Sequence, residues 1–82
     1  MKENNVSFEI VKTIGVITEN SSGWTKELNI VRWNGGPAKY DIRDWDETHE
    51  RMGRGITLMD KEMKKLVDLY QEDQEAADAK TR

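Results

Sequence analysis

The chain has 82 residues, 13 Lys and Arg against 16 Asp and Glu, a formal net charge of -3, one histidine and no cysteine. A domain this small needs burial beyond its own core, and without cysteine neither disulfides nor a thiolate zinc site supplies it, which leaves oligomerisation. The net charge excludes coating of nucleic acid by bulk charge. The sequence shows no signal-peptide core and no long apolar run, so a soluble cytoplasmic protein is expected, with association with the nucleoid open to it.

Residues 1–6 are polar and Asn-rich and read as a disordered start. From Ser7 to Thr18, β-branched residues dominate, with Phe8, Ile10, Ile14 and Val16 on one parity and Val11 and Ile17 on the other. This predicts a long strand, bent or bulged near Gly15. Residues 19–23, Glu-Asn-Ser-Ser-Gly, form a turn. Trp24 to Asn34 predicts a second strand, Gly35-Gly36-Pro37 a tight connection, and Ala38 to Trp45 a third strand. In the second strand Lys26, Leu28, Ile30 and Arg32 share one parity while Val31 and Trp33 take the other. In the third, Tyr40 and Ile42 supply a core face, and Lys39, Asp41, Arg43 and Trp45 a working surface.

Asp46 to Arg51 reads as a charged loop, followed by a short fourth strand over Gly53 to Leu58. A capping signature at Thr57-Leu58-Met59-Asp60 opens a helix whose apolar positions Met59, Met63, Leu66, Val67 and Tyr70 recur at helical spacing. That stripe is expected to cover the sheet and to contribute to a dimer interface. Beyond Tyr70 the apolar face ends, so residues 71–82 are expected to fray or be disordered, with residual helix through Ala76 and Ala77 as the alternative. The result is an α+β chain, four antiparallel strands and one C-terminal helix, with a single domain over residues 7–70.

Residues 1–59 hold eight basic against nine acidic groups, and residues 60–82 five against seven, so the helical end is the more acidic. Within residues 24–43, Lys26, Arg32, Lys39 and Arg43 face only Glu27 and Asp41, a weak cationic stripe. Cations interleaved with aromatics suit single-stranded nucleic acid, because guanidinium groups hold phosphates while indoles stack on unpaired bases. Trp45 shares the parity of Lys39 and Arg43 and reads as a stacking platform. Trp33 reads equally as platform or core, and Trp24 as a cap on the sheet edge. Arg54 stands between Gly53 and Gly55, which give its backbone room to approach a phosphate. The acidic run Asp44, Asp46, Glu47 and Glu50 reads as a solvated loop with His49 on its surface. Neither metal site, cofactor site nor nucleophile with a base is legible, so no enzymatic activity is expected.

The pattern Tyr40-Asp41-Ile42-Arg43-x-Trp45, then Gly53-Arg54-Gly55-Ile56-Thr57-Leu58 and an amphipathic helix, resembles the C-terminal domain of the positive cofactor 4 transcriptional coactivators. The bacterial YdbC-type members are the most similar form, through Gly23-Trp24-x-Lys26-Glu27-Leu28 and Val31-x-Trp33-Asn34. The resemblance implies a two-fold homodimer with curved sheets that bind single-stranded DNA with little sequence preference. It also implies a role in transcription regulation or in protecting melted DNA. By position, Arg43 matches a phosphate- or base-contacting arginine of the family strand, Arg54 a contacting basic residue and Trp33 a stacking aromatic. The family's second aromatic is replaced by Asp46, its Arg-Lys pair is reduced to Arg54, and the Ser- and Lys-rich tail of the eukaryotic forms is absent.

The expected contact set is therefore Lys26, Arg32, Trp33, Lys39, Arg43, Trp45 and Arg54. Single-stranded RNA is the alternative ligand, since nothing identifies a contact to a 2'-hydroxyl. A module that binds the transcription machinery through its acidic helix, without nucleic acid, is the alternative class.

Overall fold

The computed structural model of the chain describes residues 6–79. Strands β1 (Phe8–Glu19), β2 (Thr25–Trp33), β3 (Ala38–Trp45) and β4 (Met52–Leu58) form one antiparallel sheet in chain order, followed by helix α1 (Asp60–Ala79). The expected element order holds. Residues 1–5 of the polar start and 80–82 of the tail lie outside the described residues.

The tight hairpin between β2 and β3 is centred one residue earlier than the glycine pair suggests. Asn34 and Gly35 both have positive φ, 51° and 74°, and the Gly36 N–H donates to the Trp33 carbonyl at 2.8 Å. Two left-handed residues in a row match the right-handed twist of the flanking strands, and Asn-Gly is the pair that tolerates them. The Asn34 side chain also accepts from the Ser7 N–H at 3.0 Å, and its own N–H donates to the Ser7 carbonyl at 2.8 Å. The start of the chain is thereby tied to the hairpin as far as Ser7.

β1 is more irregular than one bend at Gly15. Its register against β2 shifts three times, between Ile10 and Lys12, Thr13 and Gly15, and Val16 and Thr18. Each shift bends and twists the strand. The sheet consequently curls, with Glu27, Asn29, Val31, Asp41 and Trp45 as the described residues buried on its inner face. A single layer hides one face this way only by wrapping around it. The face of Tyr40 and Ile42, expected to be the core, is the outer one, and both residues are only half-buried. The parity was right and the identity of the buried side was inverted, because curvature decides burial and alternation does not encode it.

The fourth strand approaches β3 closely at Gly55, where an added Cβ would collide with Arg43 Cβ and the Ile42 carbonyl. Gly55 is thus required by strand packing. Helix α1 is capped at Met59 and not at Thr57: the Met59 carbonyl accepts the first helical bond, from Met63 N–H at 2.9 Å, and the Glu62 carboxylate accepts from Met59 N–H at 2.7 Å. This is the carboxylate half of a capping box, reinforced by acidic charge in the first turn.

The helix does not bury its stripe on its own sheet. Met59, Leu66, Val67, Leu69 and Tyr70 are exposed, and among residues 60–76 only Met63 is half-buried. Instead α1 runs on through Ala79, where fraying was expected after Tyr70, because Gln, Glu and Ala are good helix formers without an apolar face. The chain is accordingly extended, 56 × 32 × 21 Å. Its radius of gyration is 15.8 Å, against about 12 Å for a compact chain of this length. Among the described residues no helix is long and apolar enough to cross a membrane.

Candidate nucleic-acid interface

The pairing register sorts the expected contact residues onto two faces. Trp33, Lys39, Arg43 and Trp45 lie on the inner face, while Lys26 and Arg32 alternate onto the outer one. There Lys26 pairs with Asp44 at 3.5 Å and Arg32 with Glu9 at 3.7 Å. Exposed pairs of this kind contribute little to stability, but they keep both cations away from the inner groove. Arg54 is exposed at the register shift of β4 opposite Asp44 and has no ion-pair partner among the described residues. The single expected cationic stripe is therefore divided between the two faces.

Trp45 is not a stacking platform. It is completely buried, with its ring 5.1 Å from Phe8 and stacked at 5.5 Å on His49. The strand parity is correct, but the curled sheet and the 46–51 loop cover it. Phe8 also lies 5.9 Å from Trp33, so it bridges the two tryptophans. Phe8 was legible as a strand aromatic, yet its place between two indoles depends on pairing with Trp33 across 25 residues of chain.

Arg43 occupies the centre of this surface. Its Nε donates to Asp41 Oδ1 at 2.7 Å, its Nη1 donates to the Gly53 carbonyl at 3.3 Å, and its guanidinium carbon sits 4.7 Å over the Trp33 ring. Asp41 is fully buried, so this pair is screened far less than a surface pair. Beside it an open groove of about 490 Å³ is lined by Val6, Trp33, Arg43, Met52 and Thr57. Val6, placed at the end of the disordered start by its sequence context, contributes a wall.

A polar cluster braces the other end of the inner face. Glu27, 4 % exposed, accepts from Thr25 Oγ1 at 2.6 Å and from Asn29 Nδ2 at 3.1 Å. His49 Nε2 lies 2.9 and 3.0 Å from the two Glu27 oxygens. Burial raises the Glu27 pKa, but the bonds from Thr25, Asn29 and His49, together with the charge His49 can carry, outweigh it and leave the carboxyl below its ordinary value. His49, expected as a plain surface residue, is instead a left-handed loop residue (φ 62°) that clamps its loop to β2 and covers Trp45.

Asp46 organises the same loop. It accepts from Thr48 Oγ1 at 3.1 Å, Glu50 N–H at 3.1 Å and Arg51 N–H at 3.2 Å. Burial again acts to raise its pKa, and these bonds prevail and lower it. The acidic run is thus a hydrogen-bonded loop. Among the described residues no three His, Asp or Glu side chains come together to hold a metal ion.

Comparison with known proteins supplies two relationships. Residues 20–69 match the family model described as Transcriptional Coactivator p15 (PC4). An uncharacterized protein of Treponema pallidum (strain Nichols) is 40% identical over 62 residues, which cover 76% of this chain and 73% of that protein.

Proposed function

The chain belongs to the Transcriptional Coactivator p15 (PC4) family, a family of non-enzymatic domains that bind single-stranded DNA, and from that premise we propose that its inner sheet face is a single-stranded-DNA-binding surface. The observation that carries the reading is the open groove in which Trp33, Arg43 and Thr57 share one wall system with Val6 and Met52. Flat groups next to a cation, on a surface that is concave and unobstructed, suit a flexible strand with splayed bases. Lys39 on the same face and Arg54 at the β4 edge are the phosphate contacts. Lys26 and Arg32 on the outer face are not part of the groove. Trp33 with Phe8 takes over the aromatic role expected of Trp45.

The protein acts as a homodimer through α1 and the β4 edge. Ile56, Met59, Leu66, Val67, Leu69 and Tyr70 form an exposed apolar surface of the kind that soluble chains cover by association. Along the helix Asp60, Glu62 and Asp68 balance Lys61, Lys64 and Lys65, while Glu72, Asp73, Glu75 and Asp78 leave the second half acidic with no basic residue in the last turn, so the apolar stripe and not the helix charge carries the association. The cellular role is in transcription regulation or in protection of melted DNA.

Fluorescence anisotropy with matched single-stranded DNA, duplex DNA and single-stranded RNA tests the function. Single-stranded DNA should bind tightest, and affinity should fall with salt. Tighter binding of RNA would move the ligand to the alternative, and no binding of any of the three would favour a protein-interaction module.

A further inference from the structure

Arg43 is unsuited to act as a plain phosphate clamp. Its side chain is only 15% exposed, its charge faces the fully buried Asp41, and two edges of the guanidinium are already committed, to Asp41 Oδ1 at 2.7 Å and to the Gly53 carbonyl at 3.3 Å. Its guanidinium carbon stands 4.7 Å over the Trp33 ring. Arg43 also lines the groove of about 490 Å³ whose other walls include the apolar Val6 and Met52, so the side of the guanidinium away from the indole is the one it can offer to a ligand. A planar cation held rigid at its edges and backed by an indole presents a surface on which another flat group stacks with little loss of freedom.

We infer that the groove receives one nucleobase stacked on the guanidinium plane of Arg43, which is itself stacked on Trp33, so that Arg43 reads the presence of a base and does not neutralise a phosphate. The inference rests on the proposal that the inner face binds single-stranded DNA and assigns within it a base subsite and its platform. It also explains why Asp41 is buried beside the groove. Its carboxylate fixes the tilt of the guanidinium and offsets its charge, which removes the incentive for a phosphate oxygen to occupy the same place. Val6 brings the segment tied down by the Ser7–Asn34 bonds to the groove's edge.

The test compares a dT oligomer with an abasic sugar-phosphate oligomer of the same length, each titrated against the wild-type protein and Arg43→Lys at several salt concentrations. Lysine keeps the charge and loses the plane. The wild type should prefer dT over the abasic strand, and Arg43→Lys should lose about tenfold of that preference. The salt slope should stay the same, since no phosphate contact is removed. An undiminished preference overturns the inference, as does a slope smaller by about 0.7, the signature of one lost phosphate contact. Because both strands are compared on the same variant, partial loss of folded protein cancels, and circular dichroism checks that the variant folds. If Arg43→Lys does not fold, Trp33→Leu, which removes the backing indole, takes its place with the same expected loss and the same overturning result. Failure of the wild type to bind the dT oligomer at all would reject the function itself, and this inference with it.

Discussion

The inner face of the sheet and the outer surface formed by α1 and the β4 edge solve opposite problems. On the inner face Glu27, Asn29 and Asp41 are buried, Glu27 bonded to Thr25, Asn29 and His49, and Asp41 to Arg43. On the helical side, Leu66, Val67, Leu69 and Tyr70 face outward with nothing of their own chain to cover them. The inner face thus pairs most of its buried polar groups within the chain, leaving atoms such as Asn29 Oδ1, Asp41 Oδ2 and Trp33 Nε1 without a partner, whereas the helical side leaves apolar side chains uncovered. Polar burial is specific and must be closed by matched partners, while an apolar stripe is generic and is covered equally well by a second copy. The difference supports the proposed ligand binding on the first surface and the proposed self-assembly on the second.

The strongest way to break this division is Trp45→Ala. Loss of a fully buried indole between Phe8 and His49 should reduce stability by about 3–5 kcal/mol in denaturant melts at fixed protein concentration, with oligo-dT affinity per folded molecule nearly unchanged. A large loss of affinity without loss of stability would return Trp45 to the ligand surface. Leu66→Asp addresses the other side: a charge in the centre of the apolar stripe should weaken association by about 2 kcal/mol or more, and light scattering at micromolar concentration should show the mass shift from dimer to protomer. A wild-type protein that is already monomeric under those conditions would refute the assignment of the helix. Gly55→Ala should destabilise by about 1–3 kcal/mol through forced displacement of β3. A neutral result would mean that Gly55 is a flexibility residue and not a packing one.

The polar cluster gives the comparison a pH dependence. Glu27 has its folded pKa lowered, so its contribution to stability is fully present above its unfolded value and is lost as pH falls through the folded value. Melts below about pH 4.3, the unperturbed glutamate range, should show this loss in the wild type and less of it in Glu27→Gln. Equal acid limbs in both proteins would show that Glu27 is not the hub. The smallest expected effect belongs to Arg54→Ala, which should leave stability unchanged and lower the slope of log affinity against log salt by about 0.7.

Element order was legible because each segment carried its own local signal: β-branched alternation in the strands, the Gly35-Gly36-Pro37 break near the hairpin, and 3.6-residue spacing after Met59. The side of the sheet that becomes buried was not legible, since it depends on the three register shifts in β1. Trp45 illustrates this. Its parity grouped it with Arg43 correctly, but no local feature announces that His49, four residues on, folds back over it. Arg43 beside Asp41 was readable as an ion pair, whereas its stack on Trp33 joins residues that only the hairpin brings together. Leu69 was missed from the apolar stripe because it widens the face beyond the strictest spacing, and its exposure is visible only once the helix is seen to stand off the sheet.

The division of the molecule into a ligand face and an assembly face is tested most directly by NMR shift mapping of backbone amides during titration with oligo-dT. The perturbed amides should cluster at Trp33, Lys39, Arg43 and Thr57, with those of Leu66, Val67 and Tyr70 unmoved. Perturbations centred on α1 and the β4 edge, with the inner face silent, would contradict that division.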